Sequence, residues 1–429
     1  MKNAFWFIVA AVGVGVAFLV KSPYMAFSVY AFLLLVGIAH FSSRLWLSGL
    51  ECTRSIDRDV LQQGETIDVH TTVTNRRGWP IPWIYIEDHH PPGFLREGAN
   101  SRLAVLMPGR SIEFHYRLTC PRRGYHRIGP VVMESGDLFG LQKRFRTGEQ
   151  QDYISVLPTV AYIDTFNISS RRPQGPVRIS NRIYEDPTRI ANIREYVPGD
   201  PLNSIHWKLS ARTGELHVKT HEPSTVTGGT LLLDLFRGGY LGEKMESRVE
   251  LAITTTASIA YLLQVSGEQL GLLTNATDAA EAARYEVAST QTLSRGETEA
   301  GLDIESISDR IRPLTVPTRR SPIQAQLIIE NLARVLPGDV LTLEDIILAE
   351  YGRLPRDASL LAVVPSVSPK LALVLGEMKL NGFGASVFII DNGPGYREAL
   401  PLLVPHGITA FHIEHERNLH EISPARIGY

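Results

Sequence analysis

Arg194, Asp200, His206, Trp207, Lys208, Arg212, His217, Lys219 and His221 crowd into one span, REYVPGDPLNSIHWKLSARTGELHVKTHEP, from Arg194 to Pro223. Guanidinium and ammonium groups at this density can bind a carboxylate or a phosphate, and imidazoles can move protons near neutral pH. From Arg171 to His221 there are nine Lys or Arg against five Asp or Glu, so the span is locally basic. Three imidazoles also raise the question of a metal. His217 and His221, four apart, would align on a helix, but Val218 and the Pro223 stop read as strand, which breaks that alignment.

The elements of the span can be read in order. Pro198-Gly199-Asp200 is a turn in which Gly199 tolerates positive φ and Asp200 suits the cap of a following helix, PLNSIHWKLSAR. On that helix His206 and Ser210 share a face, as do Lys208 and Arg212. Gly214 ends it as a left-handed cap, and GELHVKTHE returns as a strand. Two readings stay open. One is a turn-helix-strand clamp joining two domains, with Trp207 as its apolar anchor. The other is an anion or partner-peptide site using Arg194, His206, Lys208 and Arg212, with Asp200, Trp207 and Lys219 completing the candidate set.

The frame around this span has four parts: residues 1–45, 46–159, 160–228 and 229–429. AFWFIVAAVGVGVAFLV (Ala4 to Val20) and YMAFSVYAFLLLVGIAHF (Tyr24 to Phe41) carry no charge and are joined by Lys21-Ser22-Pro23. Each is near the lower limit of the roughly 17–25 residues that cross a bilayer, so the expectation is a transmembrane α-hairpin. Lys2 before it and Arg44, Arg54 and Arg58 after it place the remainder in the cytoplasm by the positive-inside rule, at the cell membrane. From about Thr53 to Pro158 the period is two, as in ETIDVHTTVTN and RSIEFHYRLTC, which reads as an antiparallel, immunoglobulin-like β-sandwich. Val160 to Arg194 reads as an irregular connection. From Gly229, apolar strands (TLLLDLF, EQLGLLTNA, SLLAVVPS, ASVFIID, TAFHIEH) alternate with helical segments, implying a parallel sheet covered on both faces. A ligand would bind at the carboxyl ends of its strands.

Bulk properties narrow the function. A net charge of −2 argues against a chain-wide nucleic-acid binder. Cys52 and Cys120 have no CxxC spacing, so they offer neither a disulfide framework nor a zinc site and read as small buried hydrophobes. No GxxxxGK[ST], GxSxG or HExxH occurs, and His89-His90 in EDHHPPG reads as an exposed turn.

With REYVPGDPLNSIHWKLSARTGELHVKTHEP, RGYHRIGPVVMESGDLFGLQKR and ISVLPTV on the page, the chain resembles the bacterial family catalogued as domain of unknown function 58. The resemblance implies a membrane-anchored protein with a von Willebrand A-like (Rossmann-like) α/β domain, and encounters with AAA+ ATPases of the MoxR type. It implies no reaction. Von Willebrand A domains often hold a divalent cation with Asp-x-Ser-x-Ser. Here the matching strand end reads Asp234-Leu235-Phe236-Arg237-Gly238, so only Asp234 is retained, and Pro365-Ser366-Val367 stands where Thr-Asp-Gly is common. Carboxylate and hydroxyl ligands are what a hard cation needs, so no bound metal and no cofactor is expected. Asp234 is expected to pair instead with Arg237 or with a basic residue of the Arg194–Pro223 span. The function expected is therefore a membrane-anchored scaffold or adaptor, not an enzyme. The competing class is an enzyme or anion-binding protein acting on an envelope component through His206, Lys208 and Arg212.

Overall fold

The computed structural model describes residues 12, 13, 15, 23–137, 143–163, 185–195, 205–223, 228–240, 245–281, 283, 314–356, 358–391 and 395–420. The chain separates into two compact units, Met1–Pro158 with Asp278–Ile307 and Glu330–Val335, and Thr159–Thr277 with Ser308–Ile329 and Leu336–Tyr429. Each is taken by itself below.

In the first unit, period-two segments form two four-stranded antiparallel sheets. One orders Leu50–Ile56, Thr66–Asn75, Ser111–Thr119 and Leu95–Gly98; the other orders Lys143–Thr147, Val131–Gly136, Ile81–Asp88 and Ser101–Leu106. The alternation explains the core. Ile67, Val69, Thr71 and Val73 on one strand and Ile112, Phe114, Tyr116 and Leu118 on its neighbour are buried, while the residues alternating with them are half-buried or exposed. A third sheet joins Val60–Gln62, Asp152–Leu157 and Gly124–Ile128.

This core holds a charge. Arg54, counted above among the residues flanking a membrane segment, has a side chain only 1% exposed and donates Nε to Asp88 Oδ2 at 2.9 Å. Its Nη1 reaches Ile128 O and Asp152 Oδ2, both at 3.0 Å, and Thr71 Oγ1 donates to Asp88 at 2.7 Å. Burial alone would lower the arginine's pKa, but Asp88 more than reverses this and holds the guanidinium charged. Arg54 is thus a structural ion, which removes it from the topology argument. His89, read as part of an exposed turn, is likewise buried.

The fold class expected at the N-terminus is corrected. The described chain is mostly β-sheet, in several sheets, and among the described residues no helix is long and apolar enough to cross a membrane, so a transmembrane hairpin is not seen. The first expected segment lies almost wholly outside the described residues. The second is part of a single helix, α1 (Pro23–Leu47), that continues past Phe41 through Ser42, Ser43 and Arg44. Its end belongs to the sandwich: Leu47 is in the core, Trp46 packs against it, and Arg146 Nη1 donates to Leu47 O at 2.7 Å.

In the second unit, six strands form one sheet, numbered here within that sheet: β1 (Gly228–Leu233), β2 (Gln269–Thr274), β3 (Leu314–Arg319), β4 (Ser359–Val364), β5 (Ala385–Ile390) and β6 (Thr409–Ile413). Their order is β3-β2-β1-β4-β5-β6, with every pair parallel except β2–β3. The central strands are buried on both faces, which is why LLL, LLAVV and VFII are continuous apolar runs instead of alternating ones. Strand order reverses between β1 and β4, and the carboxyl ends there define the crevice that doubly wound sheets offer to ligands. Glu185–Glu195 and His217–Pro223 form a separate two-stranded ribbon.

Candidate functional site

The family span is built around a short helix, α2 (Trp207–Thr213). It starts later than the sequence suggested. Its cap is His206, whose Nδ1 accepts from Leu209 N at 3.1 Å. Asp200, the expected cap, lies outside the described residues. Gly214 ends the helix in the left-handed region at φ 79°, its N–H donating to Ser210 O, as its position implied. The inner side of the helix is tied to the returning strand. Ser210 Oγ accepts from His217 N at 2.9 Å, His206 N donates to His217 O at 2.8 Å, and Ile205 and Val218, 3% and 4% exposed, form a β-bridge.

The outer side is different. Trp207 is 66% exposed, and Lys208, Ala211 and Arg212 are exposed beside it. The expectation that Trp207 is a buried anchor is therefore wrong: the helix begins at Trp207, and the side carrying Ser210 is the one that packs. Neither Lys208 nor Arg212 meets a carboxylate among the described residues. His206 has its Nδ1 occupied as a cap, and His217 Nδ1 lies 2.9 Å from Glu215 O. Arg194 pairs with Val218, and Lys219 with Ile193, in the ribbon. Among the described candidates, Arg194 and Lys219 thus lie in the ribbon, while Trp207, Lys208 and Arg212 are exposed on α2.

The second candidate region is the carboxyl edge of the six-stranded sheet. Asp234 follows β1, and its Oδ1 accepts from Phe236 N at 3.0 Å and from Asn275 Nδ2 at 2.7 Å. Asn275, at the end of β2, also accepts from Leu235 N at 2.7 Å and donates to Leu341 O at 3.1 Å, so one amide braces two strand ends. Among the interactions of the described residues, Asp234 is thus held by amides. Burial pushes its pKa up, Asn275 and the Phe236 N–H oppose this, and the nearby Glu344 charge adds to the rise. Glu344 lies on α5 (Leu343–Glu350), which follows α4 (Gln324–Arg334) in the chain, and accepts from Ser368 Oγ. Ser368 also caps α6 (Pro369–Leu380), accepting from Leu371 N at 3.0 Å. Gly238 has a local reason to be glycine, because a Cβ there would lie 2.6 Å from the Phe236 ring. Among the described residues no group of three His, Cys, Asp or Glu could hold a metal ion.

Sequence reading missed the rest of this edge. Tyr240 is fully buried and donates its hydroxyl to Asp234 O at 2.8 Å. Arg248, in the first turn of α3 (Met245–Val265), lies over the Tyr240 ring at 5.6 Å and donates Nη2 to Pro365 O at 3.3 Å and Ile390 O at 3.2 Å. Asp391 follows β5. The available signal was the one used for Asp234: an aspartate ending an apolar strand before a glycine-containing turn. As for the cysteines, burial pushes Cys52 up to about 11 and Cys120 up to about 12, so neither is a nucleophile at neutral pH.

The second unit is therefore a doubly wound α/β domain with polar side chains at its strand ends, and it includes a motif helix on which Trp207, Lys208 and Arg212 are exposed. Residues 192–295 match the family described as "Protein of unknown function DUF58". It is 31% identical over 253 residues to "Uncharacterized protein YeaD" of Bacillus subtilis (strain 168), an alignment covering 57% of this chain and 61% of that relative. Among solved structures, the FixG-related protein from Vibrio parahaemolyticus aligns at 8% identity over 26% of this chain and 98% of its own, with a TM-score of 0.19. The CARDB domain of the PF1109 protein from Pyrococcus furiosus aligns at 14% identity over 26% and 90%, also at 0.19. Scores of that size carry no argument.

Proposed function

We propose that the chain is a non-catalytic adaptor that docks an acidic surface of a partner protein on the outer face of α2. The observation that supports this most is the division of the motif helix into two sides. His206, Ser210 and Gly214 fasten it, and Trp207, Lys208 and Arg212 are left exposed. A large aromatic beside two cations that meet no carboxylate among the described residues is the composition of an interaction hot spot, and the charges select a partner of opposite sign. The partner we infer is an AAA+ ATPase of the MoxR type, which the family resemblance implies. A catalytic reading is less favoured because the His206 ring nitrogen facing the helix is used as its cap. We also propose lipid contact through the apolar stripe of α1, without a spanning hairpin.

Capture of a purified MoxR-type ATPase from the same organism by the full chain, with and without ATP, tests the docking. The expected result is capture that is lost when Lys208→Glu and Arg212→Glu are combined, with an unchanged melting curve. Capture that survives this charge reversal would overturn the docking face.

A further inference from the structure

One corner of the α/β unit, linked to Asp234 through Tyr240, has polar groups that its own packing does not satisfy. Asp391 is only 9% exposed, and its Oδ2 is buried without a hydrogen-bond partner. Its other oxygen, Oδ1, lies 3.9 Å from Arg248 Nη2, too far for a hydrogen bond. Arg248 Nε is likewise buried and unpartnered, and so is the hydroxyl of Tyr396 in the first turn of α7 (Gly395–Leu403). The Tyr396 ring stacks on His412 of β6 at 4.7 Å, and His412 Nε2 lies 2.8 Å from Asp391 O. A donor, an acceptor and a hydroxyl are therefore held in one place by Pro365, Ile390, Tyr240 and His412. Buried polar atoms left unpaired are rare because each carries a desolvation cost, and three in one corner call for a common cause. The location is the carboxyl ends of β4, β5 and β6, the side on which parallel sheets bind ligands.

Charge selects the ligand class. An anion would meet the Asp391 carboxylate, and a cation would meet the Arg248 guanidinium. A neutral group carrying an acceptor and a donor side by side meets neither penalty. We propose that this corner is a binding site for a primary carboxamide, its C=O accepting from Arg248 Nε and its NH₂ donating to Asp391 Oδ2. Gly395 contributes by what it lacks: a Cβ there would lie 2.8 Å from Oδ2 and crowd the acceptor. No residue of α2 takes part in this site, so it stands apart from the adaptor reading. The carboxamide could belong to a free small molecule or to an Asn or Gln side chain of another protein.

The test is ¹⁹F NMR of the full chain labelled with 3-fluorotyrosine, with the Tyr396 resonance assigned through Tyr396→Phe. Acetamide is titrated against acetate, methylguanidinium and glycerol. A small probe has few atoms to bind with, so saturation in the millimolar range is the relevant scale. The expected result is a saturable shift of the Tyr396 signal with acetamide and with none of the other three. A blocked Ala-Gln-Ala peptide that saturates where blocked Ala-Ala-Ala does not assigns the source as a protein side chain. Saturation by acetamide but not by the Gln peptide assigns it as a free molecule. Gly395→Ala should weaken acetamide binding roughly tenfold or more, the scale of losing a hydrogen bond to a charged group, while leaving the wild-type fold intact by circular dichroism. Saturation by acetate, methylguanidinium or glycerol, or no saturable shift with acetamide on the wild-type chain, overturns the proposal.

Discussion

Arg54 and Asp88 meet inside the β-sandwich with side-chain exposures of 1% and 0%. The pair costs desolvation on both sides, so its net stabilisation is small, but removing one member strands the other. Arg54→Met or Asp88→Ala should each lower stability by about 3–5 kcal/mol, read as a shift in the urea midpoint, while the double replacement should cost less than the two singles added. Additive losses would mean the two groups do not act as a pair. Asp234 gives a pH-dependent counterpart. Its folded-state pKa is raised, so the native state binds more protons than the unfolded chain between the unfolded value near ~3.9 and the folded value. Stability therefore falls as pH rises through that window. Asp234→Asn keeps an acceptor for Phe236 N and removes the charge beside Glu344. It should raise the Tm at neutral pH and leave it unchanged below the window. A Tm lowered equally at both pH values would show that the carboxylate is needed for another reason. Neither role was legible from sequence: Arg54 reads as a flanking charge until Asp88, 34 positions away, is brought against it by sheet pairing.

At the scale of elements, local rules read well where the cause is local. The runs TLLLDLF, SLLAVVPS and ASVFIID are strands because continuous apolar sequence bounded by turns suits a strand buried on both faces. Gly214 ended α2 where a left-handed residue was needed. What failed depended on neighbours in space. The start of α2 and the exposure of Trp207 follow from which side packs on the returning strand, and the amphipathic pattern of seven residues is too short to say. β3, an antiparallel edge strand of six residues, has no run of apolar residues to mark it. The consequence for α2 can be measured. With Trp207 66% exposed, Trp207→Ala should change stability by no more than about 0.5 kcal/mol, whereas burial would have made it a core truncation costing several times more. Ser210→Ala, which removes the acceptor for His217 N, should cost roughly 1–2 kcal/mol. The opposite ranking of the two variants in chemical denaturation would reverse the assignment of the helix's two sides.

At the scale of the whole molecule, each unit has its own core, and the first unit begins with a helix that carries a row of exposed apolar side chains. Tyr24, Phe27, Tyr30, Leu34, Ile38 and Phe41 on α1 are between 57% and 84% exposed. Their spacing of three and four residues places them on one stripe. Isolated exposed apolar residues need no explanation, but six on one stripe mark a contact surface. The absence of charge from Tyr24 to Phe41 was legible in the sequence. That the helix carries on into the sandwich through Leu47 was not, because it depends on the Arg146 contact from a strand nearly a hundred residues away. A lipid surface is the cover this stripe suits, since each large apolar side chain moved out of water contributes about 1.5–3 kcal/mol. The full chain should therefore rise with phosphatidylglycerol–phosphatidylethanolamine vesicles in a flotation gradient. Phe27→Asp combined with Leu34→Asp removes two of the six contacts and places charge in the stripe, so binding should fall well beyond tenfold. Both positions are exposed, so the sandwich should keep its urea midpoint in the variant. Wild-type chain that stays at the bottom of the gradient, or a double variant that floats as well as wild type, would leave the stripe to another partner and remove the lipid contact from the function proposed.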